Sequence, residues 1–517
     1  MTEPQTRSPS FLGRVERFGN ALPDPIFIFF WLILFLVIAS QLAAMNGYSA
    51  VHPATGDTVT AVSLLSTENI RRLLVDMGKT LTGFAPLGLT LVVMLGSGVA
   101  ERSGLFSAAM RAGLRQAPKA LMTPLIVFIA LNASLAPDAA YVVLIPLAGV
   151  FYASVGRHPI AGICAAFAGV SGGFAASLVP GQMDALILGL TESAVQASAL
   201  HPGWTANIAG NWYFMAAMVF LFTPVGWLVT DRIVEPRLGP WRETAEAPVH
   251  AHEGALSEAE KKGLGRAGLV TLALIGVWAA MTLLPGGPLR DESTGAEDPL
   301  RPFYDSLVAF TFIWFLLAGA VFGQVVGTVK SHRDIAKMMT QAMADMAPYI
   351  ALAFGAAHFV AMFGWSNLGA ILAIDGARAL EASGLPAPAL LAALVLMTAA
   401  LNLLIGSASA KWAAIAPIMV PMFMLLGVSP EMTTAAYRTG DSVTNIITPV
   451  MAYFPLVLAF ARRWDPNFGL GGLMANMLPY SGLFLLASLA MAVGWAALGV
   501  PPGPGAEVSY ILPTPVP

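Results

Sequence analysis

The chain has 517 residues, 56% of them hydrophobic and only 11% charged, where a soluble globular domain carries about 25% charged residues. With a mean hydropathy of +0.71, this is the composition of an integral membrane protein. A formal net charge of −3 gives no basis for a nucleic-acid partner, and the single cysteine, Cys164, with no Cys/His cluster in the sequence, leaves no foundation for an internal disulfide, zinc or redox chemistry.

In chain order, residues 1–24 read as a polar cytoplasmic N-terminus. "DPIFIFFWLILFLVIASQLAA" follows them without a small-residue cleavage site, so it predicts an anchor helix and not a signal peptide. Nine apolar runs predict full crossings: 25–45, 84–100, 160–188, 210–230, 267–284, 306–327, 348–364, 431–460 and 472–498. Segments 101–118 and 330–345 have the pattern of amphipathic helices at the inner surface. The basic stretch 231–266 reads as a solvated cytoplasmic loop, and 499–517 as an irregular periplasmic tail.

Two apolar stretches do not fit as crossings. Residues 120–155 as one helix would be about 54 Å long at about 1.5 Å per residue, far beyond a hydrocarbon layer of about 30 Å. Their middle, "NASLAPDAA", contains Pro137, which cannot continue a helix. Residues 388–427 repeat the form around "NLLIGSASAKW". Both predict re-entrant hairpins, permitted only where the tip is buried in protein or lines a wet cavity. With the N-terminus inside, 19 of the 27 Lys and Arg fall in cytoplasmic segments and 6 outside, while Lys411 and Arg438 stay in the membrane. That asymmetry supports the orientation.

The same map contains a repeat. Asn132 and Asn402 stand 270 residues apart in equivalent tips, and Ala165-Ala166-Phe167 meets Ala435-Ala436-Tyr437 at the same offset. The order of elements recurs: crossing, crossing, hairpin, long crossing, crossing. One extra crossing, 267–284, turns the second half upside down. The expected architecture is therefore all-α. The first repeat is 25–230 with hairpin 120–155, and 231–303 holds linker, extra helix and outer loop. The second repeat is 304–498 with hairpin 388–427. Inverted repeats are a signature of secondary transporters, whose sites lie at broken helices near the midplane.

The long crossings supply such breaks. Residues 431–460 would span about 45 Å unbroken, and "YRTGDSVTNIITP" at their centre invites unwinding at Gly440, Thr444, Asn445 and Pro449. "FAGVSGGFAASLVPGQMD" does the same in the first half. Two tips and two breaks then converge, carrying Asn132, Ser134, Asp138, Ser171, Asp184, Asn402, Ser407, Ser409, Lys411, Arg438, Asp441 and Asn445. Ionisable groups at this depth are costly and functional by default. Unwound carbonyls with Asn132, Ser134, Asn402, Ser407 and Asn445 form candidate sodium ligands, while Asp138, Asp184 and Asp441 are candidate coupling carboxylates for sodium or a proton. Each has a structural alternative. Arg438 and Asp441, at i and i+3, could simply pair with each other. Lys411 could snorkel, Asp138 could cap a helix, and Asp184 could lie near the outer surface. The Asn and Ser of the tips could only satisfy freed backbone, His358 reads as a hydrogen-bonded structural histidine more readily than as a proton carrier, and Trp412 could pack or stack on a substrate ring. No nucleophile–His–acid set, phosphate loop or haem motif is present, so no enzyme is expected.

At "MFGWSNLGAILA" (Met362 to Ala373), "LNLLIGSASAKWAAIAPIMVPMF" (Leu401 to Phe423) and "YRTGDSVTNIITPVMAYFP" (Tyr437 to Pro455) the chain resembles the p-aminobenzoyl-glutamate transporter (AbgT) family, and "GGFAASLVPGQMDALILGLT" extends the likeness to the first half. The resemblance implies bacterial inner-membrane transporters with nine transmembrane helices and two re-entrant hairpins, forming homodimers with one pathway per subunit. It implies uptake of p-aminobenzoyl-glutamate or export of sulfonamide antimetabolites, driven by sodium or protons with no other cofactor. Residues matching the family's pathway are Asp184, Asn402, Trp412, Pro430, Arg438 and Asp441. On this reading Arg438 offers a planar fork to a carboxylate and Trp412 a face to an aromatic ring. Lys411 offsets anionic charge on the substrate or on Asp441. The hairpin-bearing portion is expected to move against a scaffold that holds the dimer. A sulfonamide exporter driven by proton antiport is the first rival reading, an ion channel a weaker one, and a membrane enzyme weaker still.

Overall fold

The computed structural model describes residues 25–51, 56–115, 118, 121–135, 140–201, 203–241, 256–293, 299–448, 451 and 453–512. Asp138, the side chain of Ser134, the N-terminal 1–24 and residues 242–255 of the 231–266 linker lie outside the described residues; the ends of that linker are helical and not the solvated loop expected. The first element is α1 (Pro25–Met45), apolar around its whole circumference as a lipid-facing helix must be. A short β1–β2 ribbon (Ser49–Val51, Thr58–Thr60) and two small helices, α2 (Thr67–Val75) and α3 (Met77–Thr82), follow on one face of the molecule. Then come α4 (Ala85–Ser103) and, after a 65° bend, the amphipathic α5 (Leu105–Arg115).

The first predicted hairpin has arms α6 (Met122–Leu131) and α7 (Ile145–Ser154), with a 3-10 turn at Asn132–Leu135 and a π turn at Ala140–Leu144. The first long crossing is broken. Helix α8 (Pro159–Phe167) runs into a π turn (Ala168–Gly172), the chain unwinds over 173–181, and α9 (Gln182–Ser198) continues ten residues past the predicted end at 188. The break is packed against the hairpin: a Cβ on Gly173 would stand 2.0 Å from Leu131 Cδ2. Helix α10 (Trp212–Val229) extends through a π turn into α11 (Glu235–Leu238), and α12 (Glu258–Leu283) is the extra crossing between the halves.

The second half repeats this order. Helix α13 (Arg301–Asp305) leads into α14 (Leu307–Val326), which is followed by α15 (His332–Asp345) and α16 (Ala347–Trp365). Helix α17 (Leu368–Ala382) then turns by 119° into α18 (Ala387–Asn402), the first arm of the second hairpin, and α19 (Ala408–Leu425) is the second arm. The other broken crossing is α20 (Pro430–Val443) and α21 (Phe454–Arg462), and α22 (Leu470–Leu498) is the last. Helix α17 was not anticipated. It stands where α5 stands in the first half, between a crossing and a hairpin, and its apolar face hides it beside the crossing 348–364.

The three largest apolar cores hold most of these elements. One gathers the first hairpin with α8, α10, α18, α20, α21 and α22. A second gathers α1, α9, α16, α17 and most of the buried face of α19. A third joins α4 and α5 to α12 and α14. The arms of the second hairpin, α18 and α19, sit largely in different cores. The first long crossing is likewise divided at its break, α8 in one core and α9 in the other. Helices without continuous hydrogen bonding at the junction are where two bodies can shift with least cost to either core.

The first hairpin is bolted at its base. Arg157 Nη1 donates to Thr123 Oγ1 at 2.8 Å, Nη2 donates to Asp231 Oδ1 at 2.5 Å and also pairs with Glu235, and the Thr123 and Tyr152 hydroxyls share a hydrogen bond of 2.6 Å. Both arms are therefore tied to the end of α10. At the opposite face the tail, irregular as expected, is nonetheless fastened: Val508 O accepts from Ser429 N at 2.9 Å and Tyr510 N donates to Gly427 O at 2.8 Å. Asn207 Nδ2 donates to Pro504 O at 2.8 Å.

Close helix contact near the centre depends on Gly440. A Cβ there would stand 2.0 Å from Thr398 Oγ1 and 2.3 Å from Val395 O. Gly440→Ala is expected to lower stability by about 1–3 kcal/mol through overpacking, read as a lower melting temperature of the detergent-solubilised protein. An unchanged melting temperature would mean α18 and α20 are not packed this closely.

Candidate functional site

Helix α20 brings the site together because every residue of its 14 is buried, including Arg438 and Asp441. These two do not pair with each other, as their i, i+3 spacing allows. Arg438 Nη1 reaches Asp184 Oδ1 on α9 at 2.6 Å, and Asp441 Oδ1 receives Lys411 Nζ from α19 at 2.6 Å. All four side chains are 7% exposed or less. Lys411 does not snorkel, and Asp184 does not lie at the surface. Asp184 is held in place by its other oxygen, which accepts from Gly181 N at 2.8 Å at the start of α9. Breaking either pair would strand a buried charge, a change worth about 3–5 kcal/mol.

The second hairpin tip closes on the same point. Asn402 Oδ1 accepts from Lys411 Nζ, and Asn402 Nδ2 donates to Asn445 Oδ1 at 2.8 Å and Thr444 Oγ1 at 3.0 Å. Asn445 in turn donates to Ser171 O at 3.2 Å, joining the second break to the first. The first tip docks one step away: Asn132 Oδ1 accepts from Leu178 N at 2.9 Å within the unwound 173–181, and its amide donates to Phe128 O. The two tips therefore meet through the two breaks. Ser407 caps α19 by accepting from Ala410 N at 3.3 Å and lies 3.4 Å from Ser409 Oγ. Among the sodium candidates, Asn132, Asn402 and Asn445 are satisfied by protein partners.

Trp412, read from sequence as either packing or stacking on a substrate ring, is packed. It is fully buried, stacked on Tyr437 with ring centroids 4.2 Å apart, and its Nε1 donates to Thr191 Oγ1 at 2.9 Å. Thr191 also bonds the Thr434 hydroxyl at 2.7 Å. A substrate ring can reach Trp412 only if this stack is opened. Pro430 begins α20, and its carbonyl accepts from Thr434 Oγ1 at 2.6 Å. Eight residues separate it from Arg438, about 12 Å along the helix. His358 Nδ1 donates to Phe354 O at 2.7 Å within its own helix.

Sequence reasoning missed Thr191, Thr434 and Tyr437. The signal was periodicity: Thr191 is seven residues past Asp184, and Tyr437 four before Asp441, each on the same helix face. What remains open between Met183, Ile187, Phe174, Tyr437, Arg438 and Asp441 is a cavity of about 10 Å³, roughly the space of one water. The site is closed. Its arrangement is a neutral set of two cations and two carboxylates, each pair bridging α20 to an element rooted in the second core.

Inverted repeats, broken crossings and buried charge at the junction of two packed bodies define a multi-pass membrane transporter. The chain belongs to the AbgT putative transporter family, whose pattern it matches over residues 10–510. It is 37% identical over 500 residues to the p-aminobenzoyl-glutamate transport protein of Escherichia coli (strain K12), covering 97% of each chain. Two solved structures are similar. The YdaH transporter of Alcanivorax borkumensis superposes with a TM-score of 0.87 at 42% identity, over 93% of this chain and 100% of that one. MtrF of Neisseria gonorrhoeae, described as illuminating a class of antimetabolite efflux pumps, superposes with a TM-score of 0.89 at 42% identity, over 96% and 100%.

Proposed function

We propose that this transporter carries p-aminobenzoyl-glutamate or a related aromatic-acyl amino acid anion across the bacterial inner membrane, coupled to protons, by alternating access. The N-terminus and the bolted base of the first hairpin face the cytoplasm; the second hairpin opens toward the periplasm. The observation that carries the reading is the pair of buried ion pairs, Arg438–Asp184 and Lys411–Asp441, each at 2.6 Å. A substrate with two carboxylates and a ring needs one guanidinium, one ammonium and an aromatic face. All three are here, and all three are engaged.

Bringing a dianion into a neutral, low-dielectric site is prohibitive unless positive charge enters with it. Protonating Asp184 and Asp441 would release Arg438 and Lys411 to the substrate carboxylates. Opening the Tyr437 stack would then offer Trp412 to the ring. Sodium at the Asn402–Asn445 junction is the other source of charge, but those side chains would first have to exchange their present partners. The moving parts are the two bodies whose boundary runs through the breaks, so the ion pairs lie on the surface that opens. A homodimer with one pathway per subunit fits the exposed apolar surface of α12 (Leu269, Leu272 and Ile275). Efflux of an aromatic antimetabolite, as in the MtrF class, would use the same exchange in reverse.

The test is accumulation of labelled p-aminobenzoyl-glutamate in proteoliposomes under a pH gradient, a sodium gradient or neither. Accumulation that follows the pH gradient is expected; indifference to both gradients would overturn ion coupling.

A further inference from the structure

Helix α20 carries more polar groups than the two ion pairs use. Glu431, Thr434, Arg438 and Asp441 follow one another at spacings of three, four and three, which places them on one face of the helix. Glu431 stands at the periplasmic end of this stripe, ten residues and about 15 Å from Asp441, half the thickness of the hydrocarbon layer. The steps between are occupied. Thr434 bonds Thr191 at 2.7 Å, and Arg438 bonds Asp184 at 2.6 Å. Helix α9 mirrors the stripe with Asp184 and Thr191 seven residues apart.

Glu431 is 7% exposed and makes no ion pair among the described residues. The groups around it supply no replacement for a counterion. Asn211 donates to the Glu431 carbonyl at 2.7 Å, and its own side-chain oxygen, fully buried, has no donor among the described residues. Gly210 presses on the glutamate stem, where its Cβ would stand 3.0 Å from Glu431 Cγ. Ser429, the hydroxyl nearest in sequence, caps the helix by accepting from Met432 N at 3.0 Å. Arg301 is the nearby cation, yet it is committed to Asp305 at 3.0 Å and to the Thr205 hydroxyl at 2.5 Å; Glu192 also lies in its field. Tyr510, from the tail, has its phenol pushed up to about 12 by burial and so stays neutral, bonded to His201 at 2.6 Å. A charged carboxyl buried without an ion pair is costly, and among the described residues the neighbouring Asn211 side chain bonds only the backbone carbonyl of Glu431.

We propose that Glu431 is a third proton-binding acid of the transport cycle, placed at the periplasmic end of the α20 stripe to take protons from outside and supply them toward Asp184 and Asp441. This rests on the proton-coupled reading above, and the two are separable by experiment. Wild-type protein, Glu431→Gln and Glu431→Asp are reconstituted and compared in two assays. One is pH-gradient-driven net accumulation of labelled p-aminobenzoyl-glutamate; the other is exchange of outside label for inside unlabelled substrate at equal pH, which needs no net proton movement. Glu431→Gln is expected to keep exchange within about twofold of wild type and to lose net accumulation at least about tenfold, with Glu431→Asp recovering part of it. Unchanged net accumulation, or equal loss of both activities, would overturn the role. Infrared difference spectra between acid and alkaline pH read Glu431 without any substrate. A buried carboxyl band present in wild type and missing in Glu431→Gln is expected, and its absence from wild type contradicts the inference. Wild-type protein that fails to accumulate substrate while keeping that band would instead remove the functional reading alone.

Discussion

Replacing Arg438 with alanine is expected to reduce uptake of labelled p-aminobenzoyl-glutamate to the level of empty liposomes and to destabilise the protein by about 3–5 kcal/mol. Both effects have one cause. Arg438 is the only cation within salt-bridge distance of Asp184 among the described residues, at 2.6 Å, and both side chains are almost fully buried. Without the guanidinium, Asp184 keeps the Gly181 amide and an uncompensated charge. The stability loss is read from thermal unfolding in detergent. Arg438→Lys separates charge from geometry: it retains a cation but not the planar fork that meets a carboxylate at two points. It is expected to recover much of the stability and little of the transport. Full transport by Arg438→Lys would mean that the residue serves as a point charge only.

The second large effect is expected at Lys411 and Asp441, where stability and transport should part company. Lys411→Met strands Asp441 and removes the donor to Asn402 Oδ1; Asp441→Leu strands Lys411. Each single change is expected to cost about 3–5 kcal/mol. The double variant Lys411→Met/Asp441→Leu removes both charges together, and buried pairs replaced by apolar side chains are often neutral in stability. It should therefore melt closer to wild type than either single variant, while all three fail to accumulate substrate. A double-mutant cycle measures the coupling directly. Additive losses would mean the pair does not hold the site; transport by the double variant would mean it is not used.

Much of the architecture was legible because membrane thickness is a strict ruler. A 30-residue run from 431 to 460 is too long for one helix, and the polar residues at its centre marked where it breaks: α20 ends at Val443 and α21 starts at Phe454. The hairpins followed from the same arithmetic and from Pro137 and the Asn402–Lys411 tip. Partners were not legible. Asp184 and Arg438 are 254 residues apart in the chain, and the local i, i+3 spacing of Arg438 and Asp441 offered a nearer pairing that the fold rejects. Trp412 was left open between packing and stacking on a substrate ring because sequence shows no neighbour for it; the stack on Tyr437 exists only once α19 and α20 are packed together. The division of α8 from α9 and α18 from α19 between two cores is a property of packing and has no trace in periodicity. Nor has the fastening of the tail through Val508 and Tyr510, whose irregular, proline-rich sequence carries no pattern to mark its partners.

The claim on which this account rests is that transport requires the face between α9 and α20 to open. The Thr191 and Thr434 hydroxyls face each other across it at 2.7 Å, so thiols in their place stand within reach of a bond of about 2.05 Å. In a Cys164→Ala background, Thr191→Cys/Thr434→Cys protein in proteoliposomes should accumulate substrate when reduced, stop when oxidised, and resume when reductant is restored. Accumulation at the same rate with the disulfide formed would contradict it.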